Sequence, residues 1–147
     1  MKLCILGDTH FGMSGDSLEF HNYYRKFYEN IFFPYLKENN IKFIFQLGDL
    51  FDRRKFINFN SLYLCRKYFF NKLRDNNITL HTLLGNHDVA FKNTLEANST
   101  SLLLQEYENI KIYDEFDSVS FDGVGIDIVP WLCSENQEEI FTQIKNS

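Results

Sequence analysis

Three short apolar runs in this chain each stop at a glycine that is followed at once by a residue type able to bind a metal. Residues 2–6 lead into Gly7-Asp8-Thr9-His10, residues 42–47 into Gly48-Asp49-Leu50-Phe51-Asp52, and residues 78–84 into Gly85-Asn86-His87-Asp88. The runs have the length of strands, and Lys-Phe-Ile-Phe-Gln-Leu at 42–47 reads as a strand buried on both faces. Helical stretches lie between them. Over 18–39, Phe20, Tyr24, Phe27, Ile31 and Tyr35 recur at helical spacing, which predicts a helix with that stripe inward and a kink or end at Pro34. A second helix is capped by Asn60 or Ser61, carries Leu62, Cys65, Phe69 and Leu73 inward, and ends at Asn76-Asn77. In the third strand Ile78, Leu80, Thr82 and Leu84 share one face. Strand, helix, strand, helix, strand specifies an α/β fold, a parallel sheet with helical crossovers. Such sheets bind ligands beyond the C-terminal ends of their strands, where all three glycine junctions fall. Three of only seven glycines sit there, at positions expected to need tight turns and close backbone approach.

Further on, a short helix near 99–107 precedes strands near 110–113, 117–121 and 124–129, the last two joined by an Asp122-Gly123 hairpin turn, and a helix at 135–145. No repeat or linker divides the 147 residues, which suit one compact domain. With 44% apolar and 17% aromatic residues, the chain can build a core and disorder is excluded. No apolar run approaches the ~18 residues that span a bilayer. The first residues lack a signal-peptide pattern, so a cytoplasmic location is expected. Cys4, Cys65 and Cys133 are far apart and odd in number, and read as small buried side chains in a reducing compartment. The net charge of −5 does not by itself suggest a nucleic-acid binder, but it is uneven. Residues 1–90 hold twelve Lys/Arg against nine Asp/Glu, and residues 91–147 hold three against eleven. A phosphate-binding surface therefore belongs to the first ninety residues.

The chemistry of the junctions suits hard or borderline divalent cations. Carboxylate, imidazole and amide oxygen are ligands for Mn²⁺, Fe²⁺ or Zn²⁺. Asp49, on the central turn, is placed to bridge two ions ~3.5–4 Å apart, a pair that activates water and clamps a phosphate ester. Asp8 and His10 would complete one ion's ligands and Asn86 would bind the other through its side-chain oxygen. His87 could protonate a leaving oxygen or stabilise charge, and Asp88 could orient it. Each motif alone is weak, since Gly-Asp is a common turn and Asn-His-Asp a common capped loop. All three in order, each after a predicted parallel strand, are specific.

Asp-x-His, Gly-Asp-x-x-Asp and Gly-Asn-His-Asp together resemble the leading part of the calcineurin-like metallophosphoesterase signature. Gly48-Asp49-Leu50-Phe51-Asp52-Arg53, Thr79-Leu80-His81-Thr82, Gly85-Asn86-His87-Asp88 and Asp127-Ile128-Val129-Pro130-Trp131 are, more narrowly, similar to the nuclease subunits of phage recombination and of bacterial and eukaryotic double-strand-break repair. The likeness runs from Lys2 to about Lys145. It implies an αββα sandwich whose first, largely parallel sheet carries the crossover helices. It also implies two Mn²⁺ (or Mg²⁺, Fe²⁺ or Zn²⁺) and hydrolysis of DNA by water activated between two metals, in recombination and repair, within the host cytoplasm for a phage protein. Asp8, His10, Asp49 and Asn86 match the family's metal ligands, and His87 matches a catalytic residue that is not a ligand. A homodimer and an SMC-like ATPase partner are implied as well. Two other functions stay open: a phosphatase of the same fold on a non-DNA substrate, and a product that keeps the sheet and dimer surface but hydrolyses nothing.

The family signature continues with a Gly-His pair and a Gly-His-x-His motif, which this sequence does not contain. The spare histidines, His21 in the first helix and His81 inside the third strand, read as structural. The expectation is thus the N-terminal part of a nuclease domain, incomplete at its C-terminus, as a fragment, split-gene product or truncated form. A second polypeptide could supply the missing histidines, and the chain alone would be folded but nearly inactive. Arg53, Arg54 and Lys55 either hold DNA phosphates or form a solvated loop. Arg66, Lys67, Lys72 and Arg74 read as a wet helix face. Phe43, Phe45 and Phe51 read as core. Trp131 reads as a packing residue, with a substrate groove as the alternative.

Overall fold

A computed structural model of the protein describes residues 2–147. Four strands, β1 (Cys4–Leu6), β2 (Phe43–Gln46), β3 (Thr79–Leu83) and β4 (Ile110–Tyr113), form one parallel sheet in sequential order. The crossovers are helix α1 (Leu18–Phe27, Tyr28–Phe32 and Phe33–Glu38 in continuous succession), helix α2 (Phe59–Cys65, Arg66–Phe70 and Asn71–Asp75) and the short helix α3 (Ser99–Leu104). Crossovers of one hand joining strands in sequential order bring every helix to the same face of the sheet. On that face Ile44, Leu80 and Ile110 meet Tyr28, Phe32, Leu36, Tyr68, Phe69 and Leu73 in one core. An antiparallel hairpin, β5 (Asp117–Phe121) and β6 (Val124–Ile128), and helix α4 (Gln137–Asn146) follow. Left-handed φ at Asp122 and Gly123 (51° and 80°) makes the hairpin turn.

The expected inward stripe of α1 is corrected. Phe20, Phe27, Ile31 and Tyr35 are exposed and Tyr24 is half-buried, while His21, Tyr28, Phe32 and Leu36 are buried. Tyr28, Phe32 and Leu36 also recur every four residues, so periodicity alone allowed either face. His21 selects between them, with its ring nitrogens 2.8 Å from Ser61 Oγ and 3.0 Å from Tyr68 Oη. Both long helices carry a widened π turn where they meet, at Tyr28–Phe32 and Arg66–Phe70. The wide turn in α2 lets the consecutive Tyr68, Phe69 and Phe70 all be buried. Pro34 follows the π turn of α1, and the helix runs on to Glu38. The cap of α2 is Asn58, which accepts from the N–H groups of Asn60 and Ser61. Arg66 is no wet-face residue: it pairs with Glu106 at 2.7 Å and donates to the Leu103 carbonyl, tying α2 to α3.

The other face of the sheet holds Phe45, Tyr113 and Ile128, with Val119, Phe121 and Ile126 of the hairpin packed against them. Ile5 and Leu47 on that face remain exposed, so the run at 42–47 is not buried on both faces to its end, contrary to the expectation from the sequence. His81 lies beneath the hairpin, stacked on Phe45 and 2.7 Å from Tyr113 Oη. Burial, helped by the charge of Lys111, holds its imidazole down to about 4, against an ordinary value of 6.5. Unfolding frees the ring to take up a proton that the folded state refuses. The contribution of His81 to stability should therefore fall as pH drops from about 6.5 toward 4. Thermal melts at pH 7.5 and 5 should show wild type losing stability relative to His81→Phe, a difference that leaves out the other titrating groups. An equal slope in the variant would mean other groups carry the pH dependence.

Candidate metal centre

Three turns meet above the C-terminal ends of β1, β2 and β3, and two interactions interlock them. The turns after β1 and β2 continue as paired backbone, with His10 N–H donating to Asp49 O (3.0 Å), Phe11 N–H to Leu50 O (2.8 Å) and Asp52 N–H to Phe11 O (3.1 Å). The turns after β2 and β3 are joined by the buried Asp88 carboxylate. It accepts from the N–H groups of Asp49 (2.7 Å), Gly85 (2.9 Å) and Leu50 (3.0 Å). Burial pushes this carboxyl up to about 6 against the pull of those donors. Gln46, at the end of β2, accepts from Gly48 N–H and Thr82 Oγ1, and so braces the second turn from within the sheet.

The interlock forces unusual backbone. Gly48 has φ +90° and Asp49 φ +54°, and His10, in the facing turn, has φ +43°. Non-glycine residues hold such conformations only where the surroundings over-determine them, commonly at functional sites. Gly48 and Gly85 approach so closely that side chains there would collide, a Cβ on Gly48 lying 2.7 Å from Gly85 Cα. Gly7, expected to serve the same purpose, has open space around it. The first turn needs no glycine for either reason.

On this frame the sequence candidates converge. His10 Nε2 lies 3.7 Å from Asp8 Oδ2 and 3.8 Å from Asp49 Oδ2. The Asn86 amide has its oxygen 3.1 Å from Asp49 Oδ2 and its nitrogen 3.1 Å from Arg54 Nη2; the opposite rotamer would hydrogen-bond to both. Asp49 Oδ1 is held by the His87 N–H at 2.7 Å, so Oδ2 is the oxygen turned toward the other ligands. Asp49 is 8% exposed, whereas the Asp8 side chain is 59% exposed, so the centre opens on the Asp8 side. Two carboxylates, one imidazole and an amide that can turn its oxygen inward suit a divalent cation of the first transition row. The residues present fit such ions.

His87 stands beside His10, with ring centroids 4.8 Å apart and the planes nearly perpendicular. Its Nδ1 is 2.6 Å from the Asp52 carbonyl, which fixes the proton on Nδ1 and leaves Nε2 as the reactive nitrogen. Asp88, expected to orient this ring, has both oxygens on backbone N–H groups; Asp52 does the orienting. The Asp52 carboxylate also lies 3.4 Å from His10 Nδ1, and His10, Asp52 and His87 form a second cluster of ligand types. The sequence reading missed Asp52, although the second acid of Gly-Asp-x-x-Asp was a signal for it. Arg54 reaches the centre, Arg53 pairs instead with Asp16 at 3.4 Å, and Lys55 sits over the Phe91 ring. Trp131 is 41% exposed and joins Asp8, Asp49, Asn86 and Pro130 around an open cleft of about 460 Å³, which corrects the packing expectation. His21 and His81 take no part.

Residues 1–143 match the calcineurin-like phosphoesterase family. The chain belongs to that family. Exonuclease subunit 1 of Enterobacteria phage T4 is 40% identical over 147 residues, which is all of this chain and 43% of the relative. The chain thus spans less than half the length of that relative. Membership in this phosphoesterase family accounts for the αβ architecture and for the ligand types at the turns, and it implies divalent metal ions at the centre. Among the described residues, no helix is long and apolar enough to cross a membrane.

Proposed function

We propose that this chain carries the leading half of a two-metal DNA nuclease centre, part of a subunit that works in recombination and repair. The observation that carries the reading is the convergence of Asp8, His10, Asp49 and Asn86 from three separate turns, in a chain similar to an exonuclease subunit. Asp8 and His10 would hold one Mn²⁺, Asn86 the other, and Asp49 both. Bound there, the ions would supply a water nucleophile at neutral pH and a charge clamp for the phosphodiester. His87, with Nδ1 held by Asp52, would present Nε2 to the leaving oxygen as proton donor or to the phosphate as charge stabiliser. Arg54 would add positive charge beside the centre. The word subunit in the relative's name supports a partner protein, and the resemblance makes it an SMC-like ATPase acting with a homodimer of nuclease subunits.

Four ligands leave both ions short of a full shell, so these 147 residues alone should bind Mn²⁺ weakly and cleave DNA poorly. Further imidazoles, from a continuation of the chain or from a second polypeptide, would complete the site. The test is calorimetric Mn²⁺ titration with an assay on linear duplex DNA, before and after adding such a polypeptide. Cleavage should appear only with it. In that assembly His87→Ala should lower turnover ~10²–10⁴-fold while Mn²⁺ affinity holds. Unchanged turnover would rule His87 out as proton donor or charge stabiliser, and lost ions would make it a ligand instead.

A further inference from the structure

Arg54, whose guanidinium meets the Asn86 amide, also lines a second cavity, of about 450 Å³. Arg53, Lys55 and Phe56 line it from the turn after β2, and Phe91 and Leu102 from the segment after β3. Phe56 and Phe91 are 62% and 54% exposed, and unlike the other exposed phenylalanines they line a cavity together with basic side chains. Each ring carries a cation: Arg53 Cζ lies 4.8 Å from the centroid of Phe56, and Lys55 Nζ 5.7 Å from that of Phe91. One acid, Asp16, faces Arg53 across this row of three cations.

Exposed aromatic faces interleaved with cations are the chemistry that holds single-stranded nucleic acid, the rings stacking bases and the cations meeting phosphates. In a duplex the bases are already stacked and paired, so the rings can be used only by a nucleotide that has left the helix. The cavity is of a size for one nucleotide. Arg54 stands between it and the centre at which the neighbouring phosphodiester would be cut, lining the cavity and approaching the Asn86 amide. A second copy of this chain fits the cavity worse, because a two-fold interface there would bring two rows of the same cations together.

We propose that this cavity is a subsite for one unpaired nucleotide of a DNA strand, its base against Phe91 and Phe56 and its phosphate on Arg53 and Lys55. The inference rests on the reading of the chain as a DNA nuclease, and the test separates the two. Binding is measured in EDTA, without cleavage, using a blunt DNA hairpin and the same hairpin with a single-stranded tail of about four nucleotides carrying 2-aminopurine. The tail should raise affinity at least about fivefold and its fluorescence should be quenched by stacking. Phe91→Ala should abolish both effects and leave blunt-hairpin affinity within about twofold. Circular dichroism checks that the variant, altered at an exposed side chain, is folded. A variant that still prefers the tail overturns the subsite. So does one that merely turns a dimer into a monomer in sedimentation, which would give the cavity to a second copy. Binding of the blunt hairpin with no gain from the tail sinks this inference alone, whereas no binding of either DNA sinks the nuclease reading with it.

Discussion

Gly85→Ala should take the metal centre apart while leaving most of the fold standing. A Cβ at residue 85 would lie 2.5 Å from Asp49 N and 2.8 Å from Asp49 Cγ, and closer still to Asp49 Oδ1. Asp49 cannot step aside. Its N–H is bound to Asp88, its carbonyl accepts from His10, and Oδ1 is held by the His87 N–H. One methyl group therefore displaces the residue that all the other ligands face. Overpacking of this kind costs about 1–3 kcal/mol of stability. The greater loss should be in cation binding, roughly 100-fold, because the carboxylate leaves its position against His10 and Asn86. Mn²⁺ titration followed by calorimetry, with urea unfolding alongside, measures both. Gly7→Ala is the control, since nothing lies within 4 Å of a Cβ there. Equal Mn²⁺ affinity in the two variants would show that the approach of the turns is not what places Asp49.

Asp88→Ala should cost the most stability of any single change at the site. Its carboxylate is fully buried and takes backbone N–H groups from the turns after β2 and β3. Truncation strands three donors away from water, and each unpaired buried group costs ~1–3 kcal/mol. A loss on the order of 3–5 kcal/mol is expected, a large part of the ~5–15 kcal/mol that holds a typical domain together. The urea midpoint should fall steeply. Asp88→Asn keeps the shape and one acceptor oxygen but sets an NH₂ against an N–H, so it should fall between wild type and Asp88→Ala. If Asp88→Ala unfolds at the wild-type midpoint, the turns are held by something other than this carboxylate.

The two variants divide what could be read in the sequence from what could not. Three apolar runs ending in glycine and a ligand type are local facts, and a period of two or four places them on strands and helices. The parallel sheet, the order of its elements, the hairpin at Asp122-Gly123 and the meeting of Asp8, His10, Asp49 and Asn86 were all legible for that reason. Parallel strands joined by helices must bring their C-terminal ends together, so residues that follow those ends must meet.

Choices between locally equivalent alternatives belonged to the tertiary structure. Helix α1 carries two apolar stripes at helical spacing, and the bonds of His21 to Ser61 and Tyr68, with the packing of Tyr28, Phe32 and Leu36 against α2, decide which one is buried. All three motif glycines look alike in the sequence, yet only Gly48 and Gly85 lie where another backbone leaves no room for a side chain. Asp88 sits next to His87 in the chain, but its carboxylate faces the neighbouring turns, and the carbonyl of Asp52, 35 residues away, orients the ring. Periodicity and motif spacing report what a residue can do within its own element. Which partner lies across the gap is decided by packing, and packing joins residues far apart in the chain.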